Sequence, residues 1–170
     1  MIKHEISNVK DLIRFVIPLF KEECGKTEIM SDFDSMNYFL YGGCKELANV
    51  INYFFPTSDF ALKKDNSHIA ISYNDVIYDA YDGMDEDELI RYGIPEDYYN
   101  KDSKDFEIFS KNDIDNNLTT DFGRNLIIQG KKVDEFIIYL LNNIPSIIIF
   151  DKNLSGDEYE KRVISYRYNW

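Results

Sequence analysis

Cysteine and histidine are both scarce in this chain of 170 residues, which has two of each. Cys24 and Cys44 do not make a disulfide framework in a chain of this length, because such frameworks need several cysteine pairs. His4 and His68 show no His-x-x-x-His spacing, and the chain has no Cys-x-x-Cys pair, so the sequence argues against a structural zinc site. We therefore expect that the protein uses no metal and no other cofactor.

Positive charge is also in short supply. The sequence has 19 Lys and Arg residues against 31 Asp and Glu residues, which gives a net charge of −12. Because duplex binding relies on clustered Lys and Arg that contact phosphates, we expect no direct contact with nucleic acid. Such acidity suits a neutral or basic protein or peptide as partner, and it is also what a mimic of nucleic acid would carry.

Long apolar runs are missing as well. The longest, such as Phe136–Leu141 and Ile147–Phe150, are far shorter than a membrane span, and the first residues lack the apolar core of a signal peptide. We therefore expect a cytoplasmic, reducing setting and no membrane partner. The sequence shows no repeat or linker, and its length predicts a single domain over residues 1–170.

Hydrophobic spacing predicts a mixture of helices and strands. Helical periodicity begins at Val9 after the capping candidates Ser7 and Asn8, and Pro18 predicts that this first helix kinks or ends there. The other predicted elements are a strand within residues 1–6, a helix over Cys44–Phe55, a short strand over residues 60–62, strands over His68–Tyr73 and Val76–Tyr81, a helix over Asp85–Tyr92 stopped by Gly93, a strand over Phe106–Phe109, a helix over Lys132–Asn142 and a buried strand over Ser146–Phe150. We interpret the polar stretch 95–117 around one of these strands as an excursion or a substrate-facing loop.

Cys44 is the residue around which a chemistry can be built. Gly42-Gly43 places it in the first turn of a predicted helix, where the positive end of the helix dipole stabilises a thiolate. A nearby imidazole can take the thiol proton and remain as a stabilising cation. The backbone N–H of Cys44 is free of helix bonding and can point at a developing oxyanion, and the two glycines leave room for a substrate.

The predicted hairpin after this helix supplies candidates for the imidazole and for an acid beside it. With a two-residue loop at Asn74-Asp75, or one residue earlier, His68 and Asp79 lie on the same face of the hairpin and Asp82 lies on the other. A three-residue loop would reverse this assignment. We therefore predict that Asp79 orients His68 and stabilises its cation, and we keep Asp82 as the reserve candidate.

The order Gly42-Gly43-Cys44 opening a helix, His68 starting a strand and Asp79 on the next strand resembles the papain-like cysteine hydrolase superfamily. The likeness is strongest to its compact bacterial and phage members, and extends to transglutaminase-like and effector deamidase domains. It covers residues 41–83, about a quarter of the chain.

The resemblance implies an α+β fold in which a cysteine-bearing helix packs on an antiparallel sheet, with additional helices and a core over roughly residues 32–110. It also implies that Cys44 is the nucleophile, His68 the base and Asp79 the orienting acid. Such enzymes often place a Gln or Asn shortly before the cysteine to complete the oxyanion hole. Here Asn37, seven residues upstream, is that candidate beside Gly43, and the expected reaction is cleavage or transfer at a peptide, isopeptide or glutamine amide.

Each of these residues also has a purely structural interpretation. Free cysteines are among the most buried residue types, so Cys44 can be a small core residue. His68 can be a structural histidine, and Asp79 can be a charge at a sheet edge. The second functional hypothesis is therefore a non-enzymatic acidic binding protein, for example a phage-type or mobile-element inhibitor or a degenerate papain-like domain, that occupies a basic surface of a partner.

Overall fold

The computed structural model describes residues 4–23, 43–116, 147–149 and 153–154. Within these residues the chain folds as α+β, with a four-stranded antiparallel sheet, several helices and a separate pair of parallel strands. The predicted class and the antiparallel sheet are thus confirmed. Asn37, the predicted helix over Lys132–Asn142 and residues 24–42 generally lie outside the described residues.

The described strands have three to five residues, and the longest described helix has 15. The elements in chain order are β1 (His4–Ile6), α1 (Val9–Glu23), α2 (Cys44–Phe54), β2 (Asp59–Lys63), β3 (Ile69–Tyr73), β4 (Val76–Tyr78), a 3₁₀ helix (Ala80–Gly83), α3 (Glu86–Arg91), α4 (Glu96–Tyr99), a second 3₁₀ turn (Ser103–Asp105), β5 (Phe106–Phe109), α5 (Lys111–Asn116) and β6 (Ile147–Ile149). Among the described helices, none is long and apolar enough to cross a membrane.

The four-stranded sheet has the order β4-β3-β2-β5, and β1 pairs with β6 in parallel. The turn between β3 and β4 consists of Asn74 and Asp75, whose φ angles are 50° and 64°. Two successive residues with positive φ form the type I′ turn that matches the twist of a hairpin. Tyr73 pairs with Val76 across this turn. The two-residue loop predicted at Asn74-Asp75 is therefore confirmed, and the three-residue alternative is wrong.

The ends of the hairpin differ from the prediction. Strand β3 begins one residue after His68, and β4 ends at Tyr78, one residue before Asp79. The predicted strands over His68–Tyr73 and Val76–Tyr81 are therefore too long at these ends. The reason is that Asp79 caps the 3₁₀ helix Ala80–Gly83, which turns the backbone out of the sheet. Both His68 and Asp79 consequently lie where a strand meets a loop.

Helix α1 packs against the 3₁₀ helix and fixes its position. The start of α1 is capped by Asn8, whose Oδ1 accepts a hydrogen bond from the Asp11 N–H at 2.9 Å. The helix continues through Pro18 to Glu23, so the alternative in which it ends before Pro18 is wrong. A Cβ added at Gly83 would lie only 2.8 Å from the Ile17 side chain. Only glycine therefore permits this close approach between α1 and the 3₁₀ helix.

Helix α2 packs its apolar face on the sheet, chiefly on β3. Its buried side chains meet those of the sheet in the main core, which includes Leu47, Ile51, Phe54, Phe60, Ile69 and Ile71. The exit of the helix is held by Asn52, whose Nδ2 donates to the Ser58 carbonyl at 2.9 Å. Burial of this apolar face fixes the position of the whole helix, and with it the position of its first residue, Cys44.

Gly93 ends α3 in a left-handed conformation, with φ of 71°. The Gly93 N–H donates to the Ile90 carbonyl and the Ile94 N–H donates to the Leu89 carbonyl, both at 2.9 Å, which is the Schellman pattern. We expect Gly93→Ala to lower the free energy of unfolding by about 1 kcal/mol, because a Cβ disfavours this conformation. Urea unfolding will measure it, with Gly93→Asn as a control that should lose less. Equal stability of Gly93→Ala and wild type would contradict this role.

Candidate active site

Cys44 is the first residue of α2 and follows the buried residue Gly43, which occupies the N-cap position. The first intrahelical hydrogen bond runs from the Leu47 N–H to the Gly43 carbonyl, at 3.1 Å. Among the residues that the structure describes, no side chain caps this end of the helix. Cys44 is a free thiol and is half-buried. The helix thus presents its positively polarised end at the sulfur, as the sequence predicted.

His68 is held immediately before β3 by its own backbone, because its carbonyl accepts a hydrogen bond from the Lys63 N–H at 2.9 Å. Its imidazole is largely buried, with 16% of the side chain exposed. The ring shares a hydrogen bond with the Cys44 thiol, and the sulfur also accepts a hydrogen bond from the Ile69 N–H. Cys44 and His68 also line one small pocket together, among apolar side chains of α2 and β3 such as Leu47 and Ile69.

Asp79 completes a chain of three side chains. Its Oδ2 lies 3.1 Å from His68 Nε2. Its Oδ1 accepts from the Tyr81 N–H at 3.0 Å and from Lys101 Nζ at 3.1 Å. Both carboxylate oxygens are therefore engaged in a residue that is only 4% exposed, and the carboxylate is fixed against the imidazole.

Topology explains why these three residues meet. Strands β3 and β4 are antiparallel neighbours, so the start of β3 and the end of β4 lie at the same end of the sheet. His68 and Asp79 are therefore adjacent although 11 positions separate them in sequence. Helix α2 packs on β3, and its first residue, Cys44, lines the same small pocket as His68 and Asp79. The structure thus brings together the predicted Cys44, His68 and Asp79.

Asp82, the reserve candidate, has a different set of partners. Its Oδ2 accepts from the Asp79 N–H at 2.9 Å and from Lys101 Nζ at 3.0 Å. Its Oδ1 lies 4.0 Å from the ammonium group of the exposed Lys10 on α1. In the structure, Asp79 therefore contacts the His68 imidazole. Asp82 instead accepts a hydrogen bond from the Asp79 backbone and helps to hold it in place.

Electrostatics at the site favour a thiolate beside an imidazolium. Burial by itself lowers the pKa of His68, but its hydrogen bonds to Asp79 and Cys44 outweigh burial and raise that pKa to about 9. Burial also raises the pKa of Cys44, yet the hydrogen bond to His68 and the Ile69 N–H leave it below its ordinary value of 9.0. The pKa of Asp79 is lowered despite complete burial, because His68 and Lys101 stabilise the carboxylate.

A cleft of about 480 Å³ lies next to the three side chains, on the side of Asp79. The end of β2, the residues before β3, the start of the 3₁₀ helix and the stretch from α4 to β5 form its lining, which consists of Lys63, Ser67, His68, Asp79, Tyr81, Asp97, Tyr98, Lys101, Asp102, Asp105 and Phe106. Among the described residues, His68 and Asp79 line the cleft and Cys44 does not. The stretch predicted as an excursion or a substrate-facing loop is therefore a wall of a cleft next to the candidate site.

The site lies inside a segment that matches a family model. Residues 26–122, more than half of the chain, match the model described as phage YunG-like protein. The chain belongs to the phage YunG-like family. No curated protein and no solved structure matches the chain. The family segment contains every candidate site residue, including Asn37, whose surroundings lie outside the described residues.

Lys101, also within the family segment, is the site residue that sequence reasoning missed. It donates to both Asp79 and Asp82, although 22 and 19 positions separate it from them. The sequence around it, Asn100-Lys101-Asp102, is polar and looks like any surface loop. Only the packing of α4 against the 3₁₀ helix could have indicated its position. Within the described part of the chain, no group of three or more His, Cys, Asp or Glu side chains is arranged to hold a metal ion.

Proposed function

We propose that this protein is a cysteine-dependent hydrolase or acyl transferase of papain-like type that acts on an amide bond. The observation that carries the proposal is the unbroken chain from the Cys44 thiol to the His68 imidazole to the Asp79 carboxylate. A structural cysteine needs no such partners. A nucleophilic cysteine needs a base beside it and a group that orients the base, which is what the three residues supply.

The first half of the reaction follows from this geometry. The thiolate of Cys44 attacks the carbonyl carbon of the amide, forming a tetrahedral oxyanion. With Nε2 of His68 engaged by Asp79, the other ring nitrogen, Nδ1, serves the sulfur and the leaving group. The imidazolium passes its proton to the amide nitrogen, the C–N bond breaks and the amine leaves. A thioester on Cys44 and a neutral imidazole remain.

The second half regenerates the thiolate. His68, now neutral, takes a proton from an incoming water or amine as that nucleophile attacks the thioester carbonyl. The C–S bond then breaks and the thiolate and imidazolium form again, with an acid or a new amide as product. During both halves Asp79 keeps the imidazole in one orientation and tautomer. Hydrolysis, transfer and deamidation of a glutamine side chain differ only in the leaving and attacking groups.

Stabilisation of the oxyanion is assigned to the start of α2. The backbone N–H of Cys44 is one of the first four of the helix, which have no acceptor within it. Together with the dipole of the 11-residue helix it can stabilise negative charge on the carbonyl oxygen. Gly43 lets substrate backbone approach this end of the helix, and Asn37 remains the proposed second donor. The net charge of −12 favours a neutral or basic protein or peptide as substrate.

Acylation by a generic p-nitrophenyl ester tests this proposal without knowledge of the natural substrate. We expect wild-type protein to release nitrophenol at least tenfold faster than Cys44→Ser, because only the wild type has a thiolate at the helix start. Mass spectrometry of the intact protein should show one acyl group, located on the peptide that contains Cys44. Cys24→Ser is the matched control and should behave as wild type.

Equal release by wild type and Cys44→Ser would overturn the proposal. Turnover separates its two branches. Continuous release of nitrophenol in buffer indicates a hydrolase. Release that stops after one equivalent and resumes only when an amine is added indicates a transferase. His68→Ala should lose turnover in either case, because no group then moves the protons.

A second candidate function is an acidic binding protein that occupies a basic partner surface. The observation in its favour is a set of exposed acidic side chains that extends from the start of α3 into β5 and consists of Asp85, Glu86, Asp87, Glu96, Asp97, Asp102, Asp105 and Glu107. This function predicts that Cys44→Ser leaves biological activity intact, whereas neutralising these acidic residues abolishes it. The hydrolase proposal predicts the opposite for Cys44→Ser.

A further inference from the structure

Lys101 is a buried cation held between two carboxylates. Only 6% of its side chain is exposed. Its ammonium group has three acceptors, namely Asp79 Oδ1 at 3.1 Å, Asp82 Oδ2 at 3.0 Å and the Tyr99 carbonyl at 3.4 Å. Since an ammonium has three N–H donors, its hydrogen-bonding capacity is matched. Burial of an ammonium group costs free energy unless the group is paired, and here the two carboxylates offset that cost.

The two carboxylates cannot easily stay ionised without this lysine. Asp79 and Asp82 are three residues apart, and the Asp79 N–H is itself bonded to Asp82 Oδ2. Two carboxylates that share one partner repel each other, and one of them then tends to take up a proton. Burial already raises the pKa of Asp82 above its ordinary value of 3.8. Lys101 is the cation that sits between them.

We propose that Lys101 is a positioning residue that keeps Asp79 ionised and fixed on His68, and so maintains the thiolate–imidazolium pair with Cys44. Lys101 binds Oδ1 of Asp79, and this leaves Oδ2 directed at the imidazole. It does not contact the sulfur, so it acts through Asp79 and His68. This role rests on the function proposed above, but its test needs no substrate.

Other charged or titratable groups surround this cluster and belong to the same electrostatic environment. They are Lys10 on α1, Lys45 on α2, Tyr78 at the end of β4, and Lys63, Asp97, Asp102 and Asp105 around the cleft. Lys10 is the useful comparison, because its ammonium group also approaches Asp82, at 4.0 Å, but its side chain is 54% exposed. Solvent screens such a pair, so Lys10 should contribute little.

The test is the pH profile of Cys44 alkylation by iodoacetamide, measured in a Cys24→Ser background. Removing the cation and loosening Asp79 both disfavour the thiolate, so Lys101→Met should slow alkylation at pH 6 by about three- to tenfold and move the midpoint to higher pH. Lys10→Met should keep the wild-type profile. Lys101→Arg, which retains the charge, should recover part of the rate.

Two results would overturn the proposal. One is an unchanged profile in folded Lys101→Met, which would mean that Lys101 only stabilises the fold. The other is a wild-type profile in the double variant Lys101→Met/Asp82→Asn, which would mean that Lys101 merely balances the charge of Asp82. If Lys101→Met does not fold, the pH profile of the double variant alone tests whether Lys101 acts on Cys44. Failure of the proposed function is a separate outcome, because it appears as missing acylation of the wild type.

Discussion

Replacing His68 by alanine should slow alkylation of Cys44 by iodoacetamide at pH 6 by about tenfold or more. In the wild type, His68 and the Ile69 N–H hold the pKa of Cys44 below its ordinary value of 9.0. Without the imidazole, burial raises that pKa with less to oppose it, and an unperturbed thiol has well under 1% thiolate at pH 6. A thiolate of low pKa is intrinsically less nucleophilic, which offsets part of this difference and sets our estimate at about tenfold.

The measurement is the pseudo-first-order rate of mass gain on the intact protein in a Cys24→Ser background, from pH 5 to pH 10. His4→Ala, which removes the other histidine, is the control and should follow the wild type. Identical rates for wild type and His68→Ala across this range would show that the thiol and the imidazole are not coupled. The proposed chemistry would then lose its main support.

The same pair sets the pH window for turnover. Because the pKa of Cys44 is lowered, its thiolate persists as the pH falls until that lowered pKa is reached. Because the pKa of His68 is raised to about 9, its imidazolium is present below that pH and is lost as the pH rises through it. Any amide cleavage should therefore decline above about pH 9, whereas alkylation of Cys44 should not decline there.

Replacing Asp79 by alanine should lower the free energy of unfolding at pH 7 by about 3–5 kcal/mol, the largest loss of stability that we expect from one substitution. The change removes partners from His68 and from the buried Lys101, and it also removes the cap on the Tyr81 N–H. Breaking a buried ion pair on one side costs more than the pair contributes, because it leaves the other charge buried and unpaired.

Urea unfolding will measure this loss, and Asp85→Ala supplies a matched control. Asp85 also caps a helix through a capping box, accepting from the Glu88 N–H at 2.8 Å, but it is exposed. Its loss should cost about 1 kcal/mol, so the difference between the two variants isolates the buried charges. Equal losses would mean that Asp79 acts only as a cap.

The free energy of unfolding that Asp79→Ala loses depends on pH, and the lowered pKa of Asp79 sets the direction of this dependence. The pKa of Asp79 in the folded protein lies below the ordinary value of 3.8, so its carboxylate stabilises the fold fully above that pH. This contribution is lost as the pH falls through the lowered pKa of the folded protein. The stability gap between wild type and Asp79→Ala should therefore narrow only in strongly acidic solution.

Patterns within short stretches of sequence were sufficient to predict which elements carry Cys44, His68 and Asp79. The apolar stripe of α2 and the glycine pair before it located Cys44 at a helix start, and the alternation of the hairpin put His68 and Asp79 on one face. The observed turn at Asn74-Asp75 agrees with that reasoning. The strand ends were not predictable in the same way, because the Asp79 cap competes locally with strand pairing.

By itself, the sequence determined which residues can take part in chemistry and that a thiol, an imidazole and a carboxylate lie in the right order on adjacent elements. Periodicity and turn residues act over a few positions, and these features are encoded at that range. Only the tertiary structure decided that the thiol contacts the imidazole and that Lys101 binds the far side of Asp79. Those contacts depend on α2 packing over β3 and on α4 packing against the 3₁₀ helix, and packing between distant segments leaves no periodic signal in the chain.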